Sequence, residues 1–151
     1  MSAYTSKQIR QQLHTEVVSW FASPEPQFNV PIEASNIKRY STAPDDESST
    51  PNWIVITTAR ERLGTAVFGG RVENPIIAIW LLSRIGSDEA SKEASLDWID
   101  DATEMLTVQL AESLDHTHWI SINILNILRD NDPAYHGRYR TSVIVAEIEK
   151  R

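Results

Sequence analysis

Seven consecutive apolar residues, Ile76-Ile77-Ala78-Ile79-Trp80-Leu81-Leu82, constrain the fold of this 151-residue chain more than any other feature. The run is far shorter than the roughly 18 apolar residues a membrane span needs, and it is rich in β-branched and aromatic side chains. It therefore predicts a strand covered on both faces, and the rest of the chain must supply the covers. A second strand is predicted at Trp53-Ile54-Val55-Ile56-Thr57-Thr58. Between the two lies a long connection carrying Arg60-Glu61-Arg62-Leu63-Gly64 and Val67-Phe68-Gly69-Gly70-Arg71, which reads as an extended hairpin arm over residues 59–75.

Two helices can provide one cover. Ile9, Leu13, Val17, Trp20 and Phe21 recur at helical spacing, Thr5 and Gln8 have the spacing of a capping box, and Pro24-Glu25-Pro26 ends the helix. A longer helix is predicted over residues 88–114, with Leu96, Ile99, Thr103, Leu106, Leu110 and Leu114 as its apolar stripe. Asp97, Asp100, Asp101 and Glu104 lie toward its other side. Trp119-Ile120-Ser121-Ile122-Asn123-Ile124 and the alternating segment 138–148 predict a closing hairpin, with Ile120, Ile122 and Ile124 on one face. A short extended segment is expected at Asn36-Ile37-Lys38-Arg39-Tyr40, and residues 41–52, with the polar run Asp45-Asp46-Glu47-Ser48-Ser49-Thr50, read as a mobile loop.

The order points to one α+β domain over residues 1–151: a mostly antiparallel four- to five-stranded sheet with two helices packed on one face and a long hairpin arm. The second sheet face is left without an evident cover. Trp80 and Trp119 would add to an exposed apolar patch there, which points to oligomerisation.

The net charge of −7 is not spread evenly. Residues 88–115 hold nine acidic residues against one basic, whereas residues 1–87 hold eight of each and residues 116–151 hold four acidic against five basic. The acidity belongs to one helix and its approaches. A free-standing nucleic-acid-binding module is not expected of such a chain, because that affinity comes largely from Lys and Arg neutralising phosphates. The absence of Cys excludes disulfides, thiolate metal sites and a thiol nucleophile. No apolar run of signal-peptide length opens the chain, so it is expected in the cytoplasm where it is made.

The residues that could carry catalysis or ligand binding also have ordinary structural roles. His116 and His118 could point to one face of a strand as a metal pair, but no third and fourth ligand is evident, and a histidine just past a helix end is an ordinary dipole partner. Asp130 and Asp132 open like a calcium loop, but Pro133 follows at once and turn chemistry is the simpler reading. Gly64, Gly69 and Gly70 form no phosphate-cradling motif, and no nucleophile elbow is present. No enzyme activity, cofactor or metal is expected. Arg60, Arg62 and Arg71 in the arm, with Arg129, Arg138 and Arg140 beside the last turn, either form a soluble surface or pair as planar forks with carboxylates of a neighbouring subunit.

The sequence of elements, from the first helix through the Arg60–Arg71 arm and the acidic helix to the hairpin with Arg129-Asp130-Asn131-Asp132-Pro133 and Gly137-Arg138-Tyr139-Arg140, resembles tail terminator proteins of long-tailed bacteriophages and related head-to-tail joining proteins. The resemblance spans nearly the whole chain. It implies a virion protein of the tail or neck, forming a six-membered ring that caps the tail tube and joins it to the head. Implied partners are further copies of itself, the tail-tube protein and a head-closure or connector protein, with DNA passing the channel without specific binding and no membrane contact. Arg60, Arg62, Arg71, Arg138 and Arg140 are then candidate subunit contacts, and Asp97, Asp100, Asp101 and Glu104 candidate lumen-facing acids. A connector or tail-tube subunit of the same neck is the nearest alternative; a small α+β enzyme using His116 or His136 is a remote one.

The stripe makes one quantitative prediction. Leu106→Ala should destabilise the fold by about 2–5 kcal/mol in chemical denaturation, as a core truncation does.

Overall fold

The computed structural model describes residues 4–39, 51–63, 73–130 and 137–151. Two helices, α1 (Ser6–Ala22) and α2 (Glu89–Glu112), pack on one face of a five-stranded sheet built from β1 (Ile37–Lys38), β2 (Asn52–Leu63), β3 (Glu73–Arg84), β4 (Trp119–Arg129) and β5 (Tyr139–Lys150). The order across the sheet is β1-β2-β3-β5-β4, so the strand with the unbroken apolar run occupies the centre. All neighbours are antiparallel except β1, which runs parallel to β2 through Ile37↔Ile54 and Lys38↔Val55. The sheet is therefore mixed. Among the described residues no helix is long and apolar enough to cross a membrane.

Local chemistry sets the helix starts. Thr5 caps α1 by accepting the Gln8 backbone N–H while the Gln8 side chain accepts the Thr5 N–H, a complete capping box. Asp88 caps α2 through the Ser91 N–H at 2.7 Å, and that hydrogen bond to its carboxylate holds the Asp88 pKa below the ordinary range. Gly86 precedes this cap at a close approach: a Cβ there would overlap the Ser91 side chain.

Both helices bury their stripes in one cluster. Ile9, Leu13, Val17 and Phe21 of α1 meet Ile54, Ile56, Ile77, Ile79 and Leu81 of the sheet and Ile99, Leu106 and Leu110 of α2. The stripe of α2 is displaced from the sequence expectation. Leu96, on one margin, is 39% exposed, and Leu114, beyond the Ser113 cap that ends the helix, is 61% exposed, while Trp98, Ala102 and Met105 on the opposite margin are buried. The helix is rolled toward that margin, and the cause is visible in the polar contacts of Trp98 below.

The faces of the sheet also differ from expectation at two places. β4 contains two register shifts against β5, between Trp119 and Ser121 and between Ile124 and Asn126. Each extra residue flips the inward alternation, so Trp119 and Ile122 are buried while the bulged Ile120 and Leu125 are exposed. Ile120 therefore does not share a face with Ile122 and Ile124. Trp119, buried beneath the helices, and Trp80, half-buried on the opposite face, likewise do not form the common exposed patch expected from sequence. That opposite face has a small cluster of its own, Trp53, Val55, Leu82 and Tyr139, with the Arg84 guanidinium 5.0 Å from the Trp53 ring centroid.

A chain of buried and partly buried hydrogen bonds ties the irregular segment before β1 to the sheet and to α2. The Pro31 carbonyl accepts from Asn52 Nδ2 at 2.8 Å and from Trp98 Nε1 at 3.0 Å. Asn52 Oδ1 accepts from Ser83 Oγ, the Ser83 carbonyl accepts from Ser95 Oγ, and the Asn52 carbonyl accepts from Asn36 Nδ2. Asn52→Ala would remove a donor from Pro31 and the acceptor of the buried Ser83 hydroxyl. It should lower unfolding stability in urea by about 1–3 kcal/mol, the cost of stranding buried polar groups.

Candidate functional site

The same hydrogen-bonded knot forms the floor of a cleft of about 710 Å³ between the N-terminal half of α2, the adjacent ends of β2 and β3, and residues 29–31. Asn52, Ser83 and Ser95 contribute polar groups to it, and Trp98 an indole face. Three of the four acidic residues singled out in the sequence, Asp97, Asp100 and Asp101, line this cleft, and Glu104 stands exposed one turn further along α2. Their environments are not equivalent. Asp100 Oδ1 pairs with Arg129 at 2.8 Å, and Asp101 Oδ2 accepts the Asn29 backbone N–H at 3.1 Å. Asp97 is exposed and makes no hydrogen bond or ion pair within the described structure.

The arginines are distributed over both ends of the sheet. Arg60 and Arg62 lie on the far half of β2, at register positions facing Ile76 and Asn74 of β3. Beyond Ile76 the β3–β5 pairing stops, and residues 60–63 pair with residues 73–76 alone, so β2 and β3 leave the sheet as a two-stranded ribbon. Arg71 falls outside the described residues, as do the loop read at 41–52 apart from Pro51 and Asn52, the central part of the arm, Asp132 and His136. Arg138 is exposed and stacks 5.8 Å from the Tyr139 ring centroid. Arg140 pairs with Asp130 of its own chain at 3.2 Å, and Asp130 also accepts the Thr141 N–H. The Asp130 carboxylate thus bridges the two strands at the last turn. Arg140 and Arg129 both have partners within the chain.

At the ribbon end of the sheet sits the histidine cluster. His116 Nδ1 accepts the His118 backbone N–H at 3.0 Å, which leaves Nε2 as the protonated nitrogen of the neutral ring, donating to Glu16 of α1 at 2.9 Å. The ring stacks on Trp119 at 3.9 Å, and His118 lies 4.2 Å from the Tyr4 ring. Arg151 closes the group by donating from Nε to the His116 carbonyl. His116 therefore pins α1 to the α2–β4 connection, a role different from the dipole partner expected of it. Among the described residues no group of three or more His, Asp or Glu has metal-binding geometry.

Sequence reasoning did not identify Asn52, Ser83, Ser95 and Trp98 as cleft residues. Their signal is a proline-bearing segment whose carbonyl has no partner in regular secondary structure, and nothing in the local spacing says which donors arrive.

The cluster carries a pH dependence. Burial, followed by the neighbouring His116, holds the His118 pKa below its ordinary value of about 6.5. The neutral ring is favoured in the folded state, so this contribution is complete above about pH 6.5 and is lost as pH falls below it. The melting temperature should fall from pH 7.5 to 5.5, and His118→Gln should flatten that slope in calorimetric scans.

No protein-family model and no curated protein matches the sequence. Among solved structures, a chain of the virion of a native gene transfer agent particle is similar over 95% of this chain and 92% of its own, with a TM-score of 0.50 and 9% identity, a likeness of fold.

Proposed function

We propose that the protein is a structural component of a phage-like virion, and within it a tail terminator: a ring of six copies that caps the tail tube and presents the surface to which the head attaches. The observation that carries this reading is the likeness to a gene transfer agent virion chain, which extends over nearly the full length of both chains. The resemblance of the element order to tail terminator proteins supports the finer assignment, and the charge layout is consistent with it. A near-neutral sheet carries one strongly acidic helix whose outward residues, Asp97, Asp100 and Glu104, are exposed.

In a ring with α2 toward the channel, those carboxylates repel the phosphates of passing DNA and keep it from adhering to the wall. The arginines of the β2–β3 ribbon and the last turn then remain for contacts between copies, where planar forks and carboxylates pair well. A ring requires one surface of a copy to meet a different surface of the next, and the two ends of this sheet differ: one carries the cleft and the other the two-stranded ribbon.

Sedimentation velocity of the purified chain at several concentrations tests this. The expected result is a species of about six chain masses that does not retard duplex DNA in gels at physiological salt. A stable dimer, or a chain that retards DNA tightly, would overturn the proposal.

A further inference from the structure

The large apolar side chains left outside the core all belong to α2 and the strand that follows it. Among the described residues they are Leu96 and Val108 of α2, Leu114 just beyond its end, and Ile120, Leu125 and Ile127 of β4. β4 is also an end strand: among the described residues only β5 pairs with it, so one long side of its 11 residues has no strand beside it. From Trp119 to Leu128 it carries no charge, proline or glycine. Of the usual devices against edge pairing it keeps two bulges, and each presents an apolar side chain, Ile120 or Leu125, to solvent. The Ile127 N–H donates to the side chain of its neighbour Asn126 at 2.9 Å, a local bond that an incoming strand can replace.

We infer that a second copy of this chain completes that edge: β4 of one copy pairs antiparallel with the outer edge of β2 in the next, so that the five-stranded sheets join edge to edge. The inference rests on the ring proposed above and names the surface that closes it. Three features favour this occupant. First, β2 supplies the other free edge. β1 covers it only at Ile54 and Val55, and the backbone of residues 56–63 has no strand on its outer side among the described residues. Second, the strand directions agree. Three antiparallel steps separate β2 from β4, so the two run oppositely. Copies related by a ring axis share one orientation, and β4 therefore meets the neighbour's β2 antiparallel, the more stable pairing. Third, the free edges stand at the same height. Ile56 is level with Ile127 through Ile79 and Ile144, and Thr58 is level with Ile124 through Ile77 and Ala146. Neighbours thus meet side by side rather than end to end.

β1 of the neighbour sets the register. It fills the two rows beside Ile54 and Val55, so Arg129, the last residue of β4, comes no lower than Ile56. Leu128 then stands opposite Thr57 of the next copy and Ile127 opposite Thr58, an offset of two residues that keeps every side chain on its own face. Leu128 lies in one row with Val143, Trp80 and Val55, and Thr57 is two residues on from Val55, so both stand on the sheet face away from the helices. On the helix face, Ile127 comes beside the neighbour's α1, which lies over β1 and β2. Strand hydrogen bonds and apolar side chains make the joint, and the outward carboxylates of α2 take no part in it.

The chain has no cysteine, so introduced thiols report on the joint alone. Full-length Thr57→Cys and Leu128→Cys variants, each oxidised by itself, should give no covalent dimer. Mixed in equal amounts they should give a disulfide-linked pair containing one of each. Within one chain the two positions are three strands apart, roughly 14 Å and too far to bridge, so a chain carrying both changes should give a ladder of covalent oligomers. Adding Leu125→Lys and Ile127→Lys to the Leu128→Cys chain should cut the mixed cross-link by about tenfold or more, with the circular dichroism and cooperative melting of the parent retained. Self-linking of the Leu128→Cys chain would mean two-fold pairing of β4 and would overturn the inference. So would folded variants that give no mixed cross-link to Thr57→Cys from either Leu128→Cys or Asn126→Cys, two residues along the same face. If the parent then still sediments as a ring, the ring reading stands and only this joint falls; a ladder that runs on past six chains keeps the joint and removes the ring.

Discussion

The carbonyl of Pro31 is the point on which the arrangement of this protein turns. It has no regular secondary structure to satisfy it, and it is met by two side-chain donors from different layers, Asn52 of β2 and Trp98 of α2. Both bonds are partly buried, although Pro31 itself is exposed, and together they hold Asn52 and Trp98 to one geometry. Trp98 reaches Pro31 because α2 is rolled toward it, and that roll brings Ala102 and Met105 into the core and leaves Leu96 partly outside. Asn52 reaches it with Nδ2 from the first position of β2, and its amide oxygen then accepts from Ser83 at the end of β3. One acceptor thereby sets the relation of α2, β2, β3 and the segment before β1.

The same knot gives the molecule its polarity. By bringing the N-terminal half of α2 over the start of β2, it places Asp97, Asp100 and Asp101 around one cleft, while the central pairing of β2 with β3 carries Arg60 and Arg62 to the far end. The His116–Glu16 contact clamps α1 to that far end, together with the stack of His116 on Trp119. The acidity that dominates the composition is therefore concentrated on α2, whose N-terminal half is held over the cleft by the Trp98 and Ser95 hydrogen bonds and by the Asp100–Arg129 pair.

Much of this was legible from the residues. The central strand followed from its unbroken apolar run, the start of α1 from Thr5 and Gln8, and the placement of both helices on one face from their stripes. The convergence of three α2 carboxylates followed from helical spacing, since Asp97, Asp100 and Asp101 share one side of a turn. What escaped the sequence were features set by partners distant along the chain. The bulges of β4 invert Ile120 without any glycine or proline to announce them, because they answer to the register of β5. The roll of α2 answers to a carbonyl 67 residues away. His116 has the position of a helix-end histidine and instead meets a carboxylate 100 residues earlier, on α1. Parallel β1, only two residues long, carries too little pattern to reveal its direction.

A virion ring assembled from such a unit needs directional contacts, a channel wall that does not hold DNA, and a fold that stays closed before assembly. The unlike ends of the sheet, the acidic outer side of α2 and the hydrogen-bonded knot correspond to these needs in turn. End-on class averages of the purified, assembled chain by electron microscopy address the central claim most directly. The account predicts a closed ring of six copies around an open channel, whereas isolated single chains or two-fold particles at all concentrations would contradict it.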